Sequence, residues 1–344
     1  MLALAAAFAV LPLNGVSAQT TSTTDPVGFV TIAIAGGGAT GAPVYTFTSL
    51  GLVNPVAFQS ATTSVGGDPA LVDASATWTD GQYNTNGATP SHFVEITSGP
   101  GAGTTYDITG TVASTKTLNL DVPLKAGIVS GASYKIRPHW TLALVFGTTN
   151  QNGLASGTAT SADQVQLYRN GAYSIYYYQT IGIGGQGWRL QGAPTVDASK
   201  TVIYPDDGMI IARQQSAAVN LVLSGAVKTG QTSIPVTSGY SLLGNVYAAG
   251  MTLANSNIYT GDPNTGLASG STTTADQILF WNGTSGYNIY YYQTVGIGGQ
   301  GWRLQGAPTV DASATPIPVG AALFIKRSGA AFNWVAPQTP ASFN

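Results

Sequence analysis

Residues 175–199 read IYYYQTIGIGGQGWRLQGAPTVDAS, and residues 289–313 repeat them with Val295 in place of Ile181. A chain that carries one segment twice, 114 residues apart, has to build two copies of one unit, each burying its own apolar face. The likeness extends outward from the repeat. Leu154-Ala155-Ser156-Gly157 answers Leu267-Ala268-Ser269-Gly270, and Ala162-Asp163-Gln164 answers Ala275-Asp276-Gln277. Downstream, Ile210-Ile211-Ala212-Arg213 answers Phe324-Ile325-Lys326-Arg327.

These correspondences divide the chain. Residues 19–60 plus 139–216 form a first β-module, and 217–344 form a second. Residues 61–138 have no counterpart and read as a small β-domain inserted into the first module. Within that insert Val94/Ile96, Tyr106/Ile108, Leu118/Leu120/Val122 and Tyr134/Ile136 alternate with polar residues, the period of half-buried strands. Asn170-Gly171 between two such runs is a hairpin signal. No apolar-periodic run of helical length follows the first eighteen residues. The expected fold is all-β, with tandem sandwich-like or barrel-like modules.

Composition limits what such modules do. Charged residues are 8% of the chain, against about 25% in ordinary soluble domains. A net charge of -2 without a basic stripe argues against a nucleic-acid partner. Cys is absent and His numbers 2, which excludes thiol chemistry and most metal or His-based catalytic centres. No enzyme activity and no cofactor are expected. Residues 1–18 read as a signal peptide: an apolar run from Leu2 to Leu13, then Val16-Ser17-Ala18 as the cleavage site. The run is too short to span a membrane and no later stretch is long enough, so a secreted or cell-surface protein is expected.

The chain also resembles a secreted paralogous family expanded in Verrucomicrobia. The likeness rests on Asp25-Pro26-Val27-Gly28-Phe29, Thr141-Leu142-Ala143 with Phe146-Gly147, the Tyr176–Tyr178 cluster and Gly187-Trp188-Arg189. It implies export and a β-rich fold, and no activity.

Three sets of residues are candidates for function. Gly182-Ile183-Gly184-Gly185-Gln186-Gly187 and Gly296–Gly301 match G-x-G-x-x-G, yet no helix is expected after either, so a Gly-rich loop between strands is the reading. Tyr176, Tyr178, Trp188 and Arg189, with Tyr290, Tyr292, Trp302 and Arg303, are candidate ligand or module contacts: an aromatic platform for polysaccharide, or core. The arginines are expected to pair with Asp197 and Asp311, or with Asp163 and Asp276. Val27, Phe29, Thr31 and Ala33, in the apolar segment Val27–Ile34, form a candidate donor strand for a neighbouring copy. The expected function is a structural protein that assembles with itself into an extracellular fibre, sheath or surface layer. The alternative is a polysaccharide-binding module with two equivalent aromatic sites.

Overall fold

The computed structural model describes residues 25–337; the expected signal peptide lies outside the described residues. The fold is all-β. Its first module opens with β1 (Val27–Ile34) and β2 (Val44–Thr48). The insert follows as β3 (Phe58–Ala61), β4 (Ala70–Val72), β5 (His92–Ile96), β6 (Thr105–Val112), β7 (Thr117–Leu120) and β8 (Ser133–Pro138). The module resumes with β9 (Trp140–Thr141), the short helix α1 (Leu142–Phe146), β10 (Gln164–Arg169), β11 (Ala172–Gln179) and β12 (Gly187–Leu190). It ends with β13 (Ala193–Asp197), β14 (Val202–Ile203), β15 (Met209–Arg213) and β16 (Val219–Ala226). The second module comprises β17 (Thr232–Val236), β18 (Gly239–Gly244), β19 (Met251–Thr252), β20 (Gln277–Trp281) and β21 (Tyr287–Gln293). Its remaining strands are β22 (Gly301–Leu304), β23 (Pro316–Ile317), β24 (Ala322–Arg327) and β25 (Phe332–Ala336). No helix among the described residues is long and apolar enough to cross a membrane.

Both modules use one plan. A main sheet, β13-β12-β11-β10-β15-β2 in the first and β22-β21-β20-β24-β18 in the second, is covered on one face by a two-stranded ribbon. The ribbons are β1-β16 and β17-β25. In the first module Val30, Ile32, Leu221 and Leu223 of the ribbon meet Val165, Leu167, Trp188 and Ile211 of the sheet. The turn Asn170-Gly171 connects β10 to β11 with positive φ at both residues, 52° and 78°, as a two-residue hairpin requires.

The other face of each main sheet is covered too, because the modules pack against each other there. Phe47, Tyr168 and Ile210 of the first meet Leu242, Tyr287 and Phe324 of the second. Phe47 stacks on Trp281 at 5.2 Å. Coverage on both faces explains the unbroken apolar run Met209–Ile211, which a sheet with one wet face would interrupt with polar residues. The contact is close to two-fold: the Gly244 N–H donates to Asp206 O at 2.9 Å, and the Ser49 N–H donates to Gly320 O at 2.9 Å.

Two sequence boundaries move. Residues 217–226, grouped above with the second module, contain β16, which pairs with β1 from Val27↔Ala226 to Ile34↔Val219 and belongs to the first. The partner strands lie too far apart in sequence for a local pattern to betray them. The insert begins at Phe58 rather than 61, since β3 pairs with β8 and closes the sheet β3-β8-β5-β6-β7-β4 over its own core. A buried charge network ties the insert down. Glu95 meets Lys228 and Arg137, and Asp25 meets Arg137 and Lys135. Burial alone would raise the Asp25 carboxyl, but hydrogen bonds from Lys135 and Arg137 outweigh it and hold the group below the usual carboxylate range.

Candidate functional site

The repeated segment builds the same object in each module. β11 and β12 pair with Tyr178 opposite Trp188, and β21 and β22 pair with Tyr292 opposite Trp302. Between them the Gly-rich segment turns back as a hairpin loop, not as the strand-to-helix turn of a dinucleotide site. Gly184 needs to be glycine: its φ is +95°, and a Cβ would sit 2.4 Å from Pro194 O. Gly298 repeats this at +97° and 2.3 Å from Pro308 O.

Two buried side chains hold the loop from beneath. The Arg189 guanidinium donates to the carbonyl oxygens of Gly184 at 2.6 Å, Gly185 at 3.3 Å and Gln186 at 3.4 Å. The Gln179 amide donates to Ile183 O at 2.8 Å and Gly185 O at 2.9 Å, and the Tyr177 hydroxyl fixes Gln179. Arg303, Gln293 and Tyr291 repeat every one of these roles in the second module. Clamped so, the loop projects two aliphatic side chains into solvent. Ile181 and Ile183 are 72% and 79% exposed, and Val295 and Ile297 are 71% and 78% exposed.

The aromatic candidates lie elsewhere. Tyr176, Tyr178 and Trp188 are buried in the first core, with Trp188 donating its N–H to Gly147 O at 2.9 Å. Tyr177 is buried on the opposite face. In the second module Trp302 is buried, Tyr290 and Tyr292 are half-buried, and the Tyr292 ring is stacked on Tyr259. The two sites are therefore not equivalent: the first is closed over, whereas in the second Tyr259, Tyr292, Trp302 and Arg303 line an opening. The first is closed because its rings lie on the face that the β1-β16 ribbon and α1 cover, which sequence alternation along one strand does not reveal. Arg189 and Arg303 lie 3.9 and 3.5 Å from the exposed Asp197 and Asp311. Asp163 and Asp276 pair instead with Arg213 and Arg327.

The donor-strand candidates sit on β1. Val27, Phe29, Thr31 and Ala33 face outward, with Phe29 74% exposed, while Val30, Ile32 and Ile34 face the core. In this structure the strand is paired to its own β16.

One cavity escaped the sequence reading. A pocket of about 330 Å³ opens where the insert and both modules meet, lined by Asp107, Asp121, Arg169, Tyr204, Asp206 and Tyr240 among others. Asp207 forms an ion pair with Arg169, whose guanidinium lies 4.8 Å from the Tyr204 ring centre. The Tyr204 hydroxyl donates to Asp107 at 2.7 Å. Desolvation, with the charge of Asp207 beside it, pushes the Asp206 carboxyl up to about 6. A carboxyl raised above its unfolded value binds more protons in the native state, so stability falls as pH rises from about 4 to 6. Asp206→Asn is expected to remove that slope and to stabilise the protein at pH 7 by about 1–2 kcal/mol. Urea titrations at pH 4 and pH 7 check this; equal effects at both values refute it.

No family model matches the chain, and neither a curated protein nor a solved structure is similar to it.

Proposed function

We propose that this chain is a secreted structural protein that assembles with itself into an extracellular fibre, sheath or surface layer by exchanging β1 between copies. The observation that carries this reading is the ribbon. β1 is the first strand of the described residues, and Asn220 to Ala226 of its partner lie more than 180 residues further along the chain. All eight of its residues pair with β16, and its other edge pairs with no strand among the described residues. Its inward Val30, Ile32 and Ile34 fill the core as a donated strand does, by alternate side chains. Neither VGFVTIAI of β1 nor VNLVLSGA of β16 holds a charged residue, so neither carries the charge that ordinarily keeps an edge from pairing with another chain. The same pairing made between copies keeps the β1-β16 ladder and its inward contacts, changes the connection at Ala35–Gly38, and links the copies head to tail.

Cysteines opposite each other test it. Thr31 faces Val222 across the ribbon on its outer side, and directly opposed residues lie within disulfide reach. The chain has no other Cys. Oxidised Thr31→Cys/Val222→Cys protein, concentrated first, is expected to give a ladder of covalent multimers on a non-reducing gel. Filaments whose cross-links stay within single chains overturn strand exchange. The absence of multimers and filaments at every concentration overturns assembly itself.

A further inference from the structure

We propose that the two Gly-rich loops form a bivalent anchor for a lipid surface, each seating its two aliphatic side chains in a bilayer. Ile181 and Ile183 in one module, with Val295 and Ile297 in the other, are the most exposed aliphatic pairs the repeat produces, and their exposures match between modules.

The clamp gives the chemical reason for lipid. Hydrocarbon contains no water to hydrogen-bond the backbone, so a loop that enters it has to satisfy its carbonyl groups internally. The oxygens of Ile183, Gly184, Gly185 and Gln186 already accept from Gln179 and Arg189, and their counterparts accept from Gln293 and Arg303. The aliphatic pair at each tip is flanked by exposed Thr180 and Gln186 in the first module and by Thr294 and Gln300 in the second, so the aliphatic groups reach the acyl chains while the polar flanks stay at the headgroup level. The guanidinium charges are buried and face Asp197 and Asp311, so the loops carry no surplus charge that would favour an acidic bilayer.

Strand directions place both tips at one end of the molecule. β18 runs antiparallel to β24 and, through Asp207↔Leu243, antiparallel to the residues that lead into β15. β15 and β24 therefore run the same way. β11 is parallel to β15 and β21 to β24, each pair being antiparallel to the strand between them. The loops that end β11 and β21 thus leave the paired sheets at corresponding ends. Two tips on one end can meet a flat surface together, and the second contact is strengthened by the first. This proposal is independent of strand exchange.

The test is flotation of the protein with phosphatidylcholine vesicles, at low and high salt. Wild-type protein is expected to float with the vesicles equally at both. Ile297→Ser alone is expected to weaken partitioning about tenfold, and Ile183→Ser with Ile297→Ser to abolish it. Both side chains are exposed, so the unfolding midpoint of the double variant is expected to equal that of the wild type, which excludes misfolding as the cause. A wild-type protein that stays with the unbound fraction, or a double variant that still floats, overturns the proposal. A wild-type dimer that ignores vesicles and dissociates on double substitution also overturns it, and gives the loops to a second copy of the chain.

Discussion

Asp163→Ala is expected to cost about 3–5 kcal/mol and to bring the first module close to unfolding. The Asp163 carboxylate is fully buried and meets the Arg213 guanidinium. It also accepts the N–H groups of Ala155 and Gln214, each at 2.7 Å. Alanine leaves the buried Arg213 with carbonyl partners only, at Ala217 and Gly153, and strands two backbone donors. Asp276 holds the same place in the second module, with Arg327 and the N–H groups of Ala268 and Ser328. Asp276→Ala is expected to cost a similar amount. Guanidinium titration followed by circular dichroism measures both. A loss under about 1 kcal/mol in either would mean that water reaches the pair and that the ions are not what fixes the last strand of each sheet.

That pair shows where the sequence stops being informative. Its members were visible as charges recurring in both modules of a charge-poor chain. Their partners were not, because Arg189 and Arg213 stand equally well placed on paper. Sheet register decides it: Gln164 faces Ala212 across β10 and β15, which brings the neighbouring Asp163 to Arg213. Local signals fared well wherever a few residues suffice. Asn170-Gly171 specified its own turn, and period-2 alternation marked the insert strands, though it carried the third to Val122, which lies exposed beyond the end of β7. Signals that depend on distant partners were silent. β16 carries no trace of its pairing with β1, and no single strand reports that a second module covers its outer face. The Gly-rich loops drew notice for their glycines, whereas their surface chemistry lies in Ile181, Ile183, Val295 and Ile297. An aliphatic residue beside loop glycines is read as spacer until the fold shows which way it points.

The core on the ribbon side of each main sheet also decides what the tryptophans do. Trp188→Ala is expected to cost about 3–5 kcal/mol, the range for removing a large buried aromatic. Trp188 is 1% exposed, sits edge-on to Tyr178 at 5.5 Å, and gives its N–H to Gly147 O, which alanine leaves without that donor. Phe146 of α1 closes the site from the side at 5.7 Å between ring centres. The second module has no such helix among the described residues. There Tyr259 takes the place beside Trp302, at 6.4 Å, and a shallow opening reaches Tyr259, Tyr292 and Trp302. Trp302→Ala is therefore expected to cost less than Trp188→Ala, since the hole it leaves can fill with water. Denaturation midpoints give the order. Emission gives the environment: each substitution is expected to remove a blue-shifted component that iodide does not quench. If both variants keep wild-type stability and the lost emission is red-shifted and quenchable, the rings are surface groups, and a polysaccharide platform at these two positions becomes the better account of why the segment was kept twice.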